Sequence, residues 1–190
     1  SAECDVGIID GRVAALGLGF SDADRVIDAT GKLVLPGGIE GHCHIEQQSS
    51  VGGVMSADDF FTGTRSAVFG GTTTTLSFAQ QIPGESLRKT VQDYHECARP
   101  KAVIDYGFHL IISDPTEQVL GQDLPALVAD GMPSFKVYMT YDSLKLDDRQ
   151  MLEVLSTARR CGAMMMIHAE NHDMIKWLTD RLLSGGYVAP

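Results

Sequence analysis

The sequence predicts an α/β fold, a series of strand–helix units behind a short β region. Strand-like runs recur at about 30 residues, the length of one βα unit. They are short, mostly apolar and rich in Thr, Ile, Val, Phe or Met, as parallel strands covered on both faces are. Between them lie segments with helical spacing of apolar residues and helix-end residues at their borders. The composition fits: 190 residues, 44% hydrophobic and 21% charged, describe a packed domain long enough to bury a core.

Residues 1–35 read as short β segments. Val6–Ile9 and Val13–Leu16 flank Asp10-Gly11, a two-residue hairpin signal, and Val26-Ile27 and Leu33–Leu35 flank Thr30-Gly31 in the same way. Pro36-Gly37-Gly38 ends that pattern. Residues 36–190 then alternate. The predicted strands are Gly38–Ile45, Thr72–Ala79, Val103–Ile112, Ser134–Tyr141 and Met164–Glu170. The first helix follows Ser56–Asp59, a capping-box variant, and closes at Gly70-Gly71. Leu87, Val91, Tyr94 and Ala98 form the stripe of the second, which stops before Pro100. Val119, Leu120, Leu124, Leu127 and Val128 form a third, split by Pro125 and ended by Gly131. Asp147 caps the fourth, with Arg159-Arg160 in its last turn and Gly162 after it. Ile175, Leu178 and Leu182 form the last stripe, stopped by Gly185-Gly186. Five consecutive βα units fit either an α/β barrel or a doubly wound sheet. A barrel of eight units needs about 250 residues, so on that reading three units are missing.

The charge narrows the function. With 25 Asp and Glu against 15 Lys and Arg, the formal net charge is −10, which argues against nucleic acid or an anionic membrane as the partner. The longest nearly apolar stretch, Ala163–Ala169, is far short of the roughly 20 residues that span a bilayer. Ser1–Asp5 has neither the basic start nor the apolar run of a signal peptide. Cys4, Cys43, Cys97 and Cys161 are widely spaced without a CxxC and read as reduced thiols of a cytoplasmic protein.

Three positions could carry chemistry together. His42 and His44 end the first barrel-type strand, and residues i and i+2 of a strand face the same side. Two imidazoles there suit zinc or a similar metal; the plainer alternative is a hydrogen-bonded histidine pair. Lys136 lies in an apolar strand where a free ammonium is costly, so burial pushes it toward its neutral, nucleophilic form. A neutral amine can add carbon dioxide and become a carbamate with two oxygens for bridging two metals. The alternatives are a lysine reaching solvent or paired with Asp142. His168 ends another apolar strand and would face the same mouth, or be a single hydrogen-bonded histidine. Other histidines read as less informative: His172 as support for His168 or a surface helix start, His109 as interior packing or a hydrogen-bond partner, and His95 as solvated. The run Met164–Met166 is core, since consecutive strand residues alternate faces. No phosphate-binding loop or dinucleotide fingerprint is present, and no Ser or Cys has the surroundings of a nucleophile.

Five stretches, Pro36–His44, Gly70–Thr74, Ala102–Gly107, Ser134–Tyr141 and His168–Asn171, resemble in order the dihydropyrimidinase/D-hydantoinase family of cyclic amidohydrolases. The resemblance implies a (β/α)8 TIM barrel beside a small β-sandwich, with residues 1–35 a partial sandwich segment and 36–190 the N-terminal part of the barrel. It implies two zinc ions, or similar divalent metals, bridged by a carbamylated lysine. Carried over by motif, His42 and His44 would bind one metal, Lys136 would bridge both and His168 would bind the second. Tyr141 would hydrogen-bond the substrate carbonyl as it becomes an oxyanion, a role that strand parity does not predict. The implied reaction is metal-assisted hydrolysis of the ring amide of dihydropyrimidines or hydantoins to N-carbamoyl amino acids, a step of pyrimidine catabolism. The loop Glu46–Met55 would border this small cyclic ureide substrate, and a homo-oligomer, a tetramer, is the implied assembly.

Cys43, Ile45-Glu46 and His172 stand where relatives often carry other residues, which bears on substrate choice. The family's remaining metal ligands lie on later strands than the five seen here. The expectation is therefore an N-terminal fragment, self-associating through open strand edges and weakly active or inactive by itself. Two other readings stay open: a non-catalytic dihydropyrimidinase-like interaction protein, and another cyclic amidohydrolase of the allantoinase or dihydroorotase type. The complete set His42, His44, Lys136 and His168 favours the enzyme.

Overall fold

The structure is a computed structural model that describes residues 3–48 and 53–188. It divides into two compact units that meet at Pro36 and Gly37. The first contains an antiparallel hairpin, β1 (Asp5–Ile9) and β2 (Arg12–Gly17). Asp10 and Gly11 both have positive φ, 52° and 71°, as a type I′ turn requires. The second predicted hairpin does not form. Thr30-Gly31 is a turn, with the Lys32 amide donating to the Ala29 carbonyl at 2.9 Å, but its flanks are not strands. Val26, Ile27 and Leu33–Leu35 stay exposed, and a two-stranded ribbon with no apolar face to cover it is marginal.

The second unit begins with β3 (Gly38–Cys43) and continues through α1 (Phe60–Phe69), β4 (Thr72–Gln80), α2 (Leu87–Ala98) and β5 (Asp105–Ile111). A π-helical turn (Val119–Asp123) then leads into α3 (Leu124–Ala129), followed by β6 (Ser134–Tyr138), α4 (Asp148–Cys161), β7 (Met164–His168) and α5 (His172–Ser184). The strands pair in parallel in the order β3-β4-β5-β6-β7. This sequential order has no reversal point, which separates a curled half-barrel from a doubly wound sheet.

Local chemistry explains the borders. Asp59, rather than Ser56, caps α1: its side chain accepts from the Thr62 amide while the Thr62 hydroxyl accepts from the Asp59 amide. Ser56 instead accepts from the Gln47 amide at 2.9 Å. The third helical stripe is divided just before Pro125: the π-helical turn ends at Asp123 and Pro125 sits in the first turn of α3, where a proline needs no donor. Asp147 and Gln150 cap α4 reciprocally, and Gly162 ends it at φ 73°. Asp147→Ala is expected to cost about 1 kcal/mol, read as a lowered denaturant midpoint with unchanged slope.

Strand parity sorts the interior into two layers. Ala79, Leu110, Ile112, Phe135 and Val137 point outward and meet Phe60, Leu87, Leu124 and Val154 of the helices. Phe78, Ile111 and Tyr138 point inward with Leu144 and Met166. Along α5, Ile175, Leu178 and Leu182 remain 40–52% exposed, so the predicted stripe is present but uncovered among the described residues.

Candidate active site

Two alternations of parity bring the candidate residues to the inner face. His42 and His44 lie on either side of Cys43, whose thiol turns outward to Ser77 Oγ at 3.3 Å; burial pushes that thiol's pKa up. On β6, Lys136 shares the face of Tyr138 and is paired in register with Ile111 and Met166, and Tyr138 is paired with His168. His42, His44, Lys136, Tyr138, Tyr141 and His168 line one cavity of about 530 Å³.

Phe78 lies at the centre of the cluster and is fully buried. Its ring centroid is 4.6 Å from His42, 4.9 Å from His44 and 5.1 Å from His109. Lys136 is 6% exposed. Its Nζ lies 4.3 Å from the Phe78 centroid and 4.9 Å from that of Tyr138. Among the described residues no carboxylate pairs with it. Asp142 faces His172 Nε2 at 3.3 Å and Lys176 Nζ at 3.5 Å instead. Burial accordingly lowers the Lys136 pKa. The His42 pKa is also lowered, first by burial and then by Lys136, with His44 and His109 adding to it.

Hydrogen bonds orient the imidazoles. His44 Nδ1 lies 2.5 Å from Gln47 Oε1, an acceptor only, so Nδ1 carries the proton and Nε2 keeps its lone pair. His168 Nε2 lies 3.1 Å from the Glu170 carboxylate, which leaves the lone pair on Nδ1. Tyr138 stacks on His168 at 5.3 Å, and its hydroxyl pKa is raised to about 12, by burial first and by Tyr141 second.

Tyr141 reaches this face by a route that parity does not describe. β6 ends at Tyr138, and Tyr141 adopts the left-handed region at φ 68°. The turn brings its ring to 5.2 Å from His168 and 5.7 Å from Tyr138. His172 is a partner of this turn rather than a free surface group, with Nδ1 3.3 Å from Thr140 Oγ1. His95, expected to be solvated, lies 3.3 Å from the Tyr106 hydroxyl. Of the loop Glu46–Met55, residues 49–52 lie outside the described residues; Gln47, Gln48, Val54 and Met55 line the cavity. Glu46 is pinned by Lys101 and by the Phe60 amide at 3.1 Å.

Among the described residues, no three His, Cys, Asp or Glu side chains converge on one point as a metal site would require. The donors are nonetheless suited to metal: three imidazoles with free lone pairs or raised acidity, and a buried amine with no counter-ion.

Sequence and structure comparisons show what the chain is similar to. The chain is 44% identical to a D-hydantoinase of Geobacillus stearothermophilus over 99% of its own length and 40% of the relative's. A dihydropyrimidinase of Rattus norvegicus is 37% identical over the whole chain and 38% of the relative. The chain belongs to the D-hydantoinase/dihydropyrimidinase family. No family model matches it. A solved D-hydantoinase superposes over 98% of the chain and 40% of that structure, with a TM-score of 0.93 and 41% identity. The dihydropyrimidinase of Brevibacillus agri superposes over 98% with a TM-score of 0.92 and 43% identity. The chain thus spans about 40% of the length of the D-hydantoinase-family relatives it matches.

Four contributors to the site escape sequence reading. Phe78 and Tyr138 look like core residues in apolar strands, and they are; their second role comes from which side of the sheet they face. Gln47 and Glu170 sit two or three residues from the histidines they hold, a spacing that could have suggested them.

Proposed function

We propose that this chain supplies the N-terminal metal-binding arc of a cyclic amidase that opens hydantoins or dihydropyrimidines to N-carbamoyl amino acids. The single observation that carries this reading is the convergence of His42, His44, Lys136, Tyr141 and His168 on one cavity. The names of the relatives support the substrate class. The sequential parallel order and the likeness to solved hydantoinases support reading the second unit as five of the eight units of a TIM barrel. The hairpin unit is then part of a small β-sandwich.

In this reading His42 and His44 would hold one divalent metal, zinc or a similar ion, and His168 would hold a second. When bound, the metals polarise the ring carbonyl and lower the pKa of water. Every other role belongs to the chain. Burial eases loss of the Lys136 proton, and the free amine would add carbon dioxide, forming an N–C bond as one C=O double bond opens to a C–O− and one N–H proton leaves; the carbamate oxygens would then be further ligands beside the imidazoles. Gln47 fixes the His44 tautomer. The Tyr141 hydroxyl donates to the carbonyl oxygen as that oxygen gains charge. Gln47, Val54 and Met55 border the ring and limit water. Four unpaired cysteines support a reducing, cytoplasmic location, and no helix among the described residues is long and apolar enough to cross a membrane.

The test is to supply zinc and 13C-bicarbonate to the chain and record carbon NMR spectra of the native protein. A carbamate carbon resonance that disappears in Lys136→Ala, together with bound zinc, is the expected result. Zinc-free protein with no carbamate after reconstitution would overturn the assignment.

A further inference from the structure

We infer that His109 is a positioning residue, tying together the two strands that present His42 and Lys136. The inference rests on the reading of those two residues as metal ligands. His109 is 4% exposed, inside the half-barrel on β5. Its Nε2 lies 3.0 Å from the Gly41 carbonyl, one residue before His42. Its Nδ1 lies 2.6 Å from Ser134 Oγ, two residues before Lys136. A carbonyl has no proton to give, so Nε2 donates to Gly41; the Ser134 hydroxyl can then donate to Nδ1 of the neutral ring.

The sheet explains why such a tie is needed. β3 is not a neighbour of β5; β4 lies between them. The β3–β4 register is regular at Glu40, opposite Thr75, and next at Cys43, opposite Ser77, with an irregularity between. Gly41 and His42 therefore sit where the ladder slips, a device that re-aims a side chain. The slip leaves the Gly41 carbonyl to be satisfied from across the interior, and His109 satisfies it. From the other side, the Glu40 carboxylate accepts from the His42 amide at 2.8 Å. The His109 ring also packs on Phe78, so one side chain touches the backbone before one ligand, the strand start before another and the ring beneath both.

The experiment compares zinc affinity, thermal stability and His42 ring-proton shifts in the 190-residue chain, His109→Phe, His109→Gln and Ser134→Ala. Glutamine keeps an N–H for Gly41; phenylalanine keeps the shape and removes both bonds. In His109→Phe, zinc affinity is expected to fall about tenfold, while His109→Gln retains most of it at similar loss of thermal stability. Without metal, the His42 ring protons, shifted by Phe78, are expected to move to free-imidazole values in His109→Phe and to stay in His109→Gln. A folded His109→Phe with native affinity and native His42 shifts would overturn the inference. If His109→Phe does not fold, Ser134→Ala decides: weaker zinc binding supports the tie and native affinity refutes it. If the unaltered chain binds no zinc, the ligand assignment fails, and the metal-free His42 shifts still decide the role of His109.

Discussion

Lys136→Met is expected to abolish zinc binding and carbamate formation while making the metal-free chain more stable. Two effects oppose each other at this side chain. The rings of Phe78 and Tyr138 attract the ammonium, an effect of about 0.5–2 kcal/mol. Burial at 6% exposure, with no carboxylate facing it among the described residues, costs several kcal/mol for an ion. Desolvation wins, which is why the Lys136 pKa is lowered. Below the lowered folded-state pKa the penalty is fully present. It fades as pH rises toward the ordinary value of 10.5, because the unfolded chain then holds a proton that the folded one does not. Methionine keeps most of the length and removes the charge, so a gain of about 1 kcal/mol is expected at neutral pH, a rise of about 2–4 °C in Tm. Calorimetry of metal-free protein and zinc analysis of reconstituted protein read the two halves of this prediction. A destabilised Lys136→Met would show that the ammonium is stabilised by its rings, contrary to this account.

Phe78→Ala is expected to cost about 3–5 kcal/mol, the range for emptying a fully buried aromatic position. That is a large share of the 5–15 kcal/mol typical of a folded domain. The loss is not confined to packing, since the ring is the shared neighbour of His42, His44, His109 and Lys136. Phe78→Leu fills much of the volume and should recover most of the stability, but not the ring contacts. Denaturant unfolding of both variants, with zinc titration of Phe78→Leu, separates the two contributions. Near-native zinc affinity in Phe78→Leu would reduce Phe78 to a packing residue.

The legible parts of the sequence are those governed by short-range rules. Parallel strands and their helices follow from apolar runs and caps, and the shared face of His42 and His44 follows from the two-residue period. The misread parts depend on distant partners or on where a strand stops. Val26-Ile27 and Leu33–Leu35 have strand-like composition but pair with no strand among the described residues. Ser56 and Asp59 both suit a cap, and only the path of the Gln47 loop, which engages Ser56, leaves Asp59 to start α1. His109 reads as interior packing or a hydrogen-bond partner and is both; only the identity of its partners is illegible, because Gly41 and Ser134 are 68 and 25 residues away in sequence. Tyr141 belonged to a predicted strand that stops three residues earlier, and a family resemblance, rather than alternation, singled it out.

The left-handed backbone of Tyr141 has a consequence for laboratory evolution. An aromatic residue in that conformation is held at a cost of about 1–2 kcal/mol that glycine would avoid. Screening libraries for heat resistance alone should therefore enrich Gly or Asn at this position, whereas the role proposed for Tyr141 would restore the phenol in a screen of a full-length parent for ring opening.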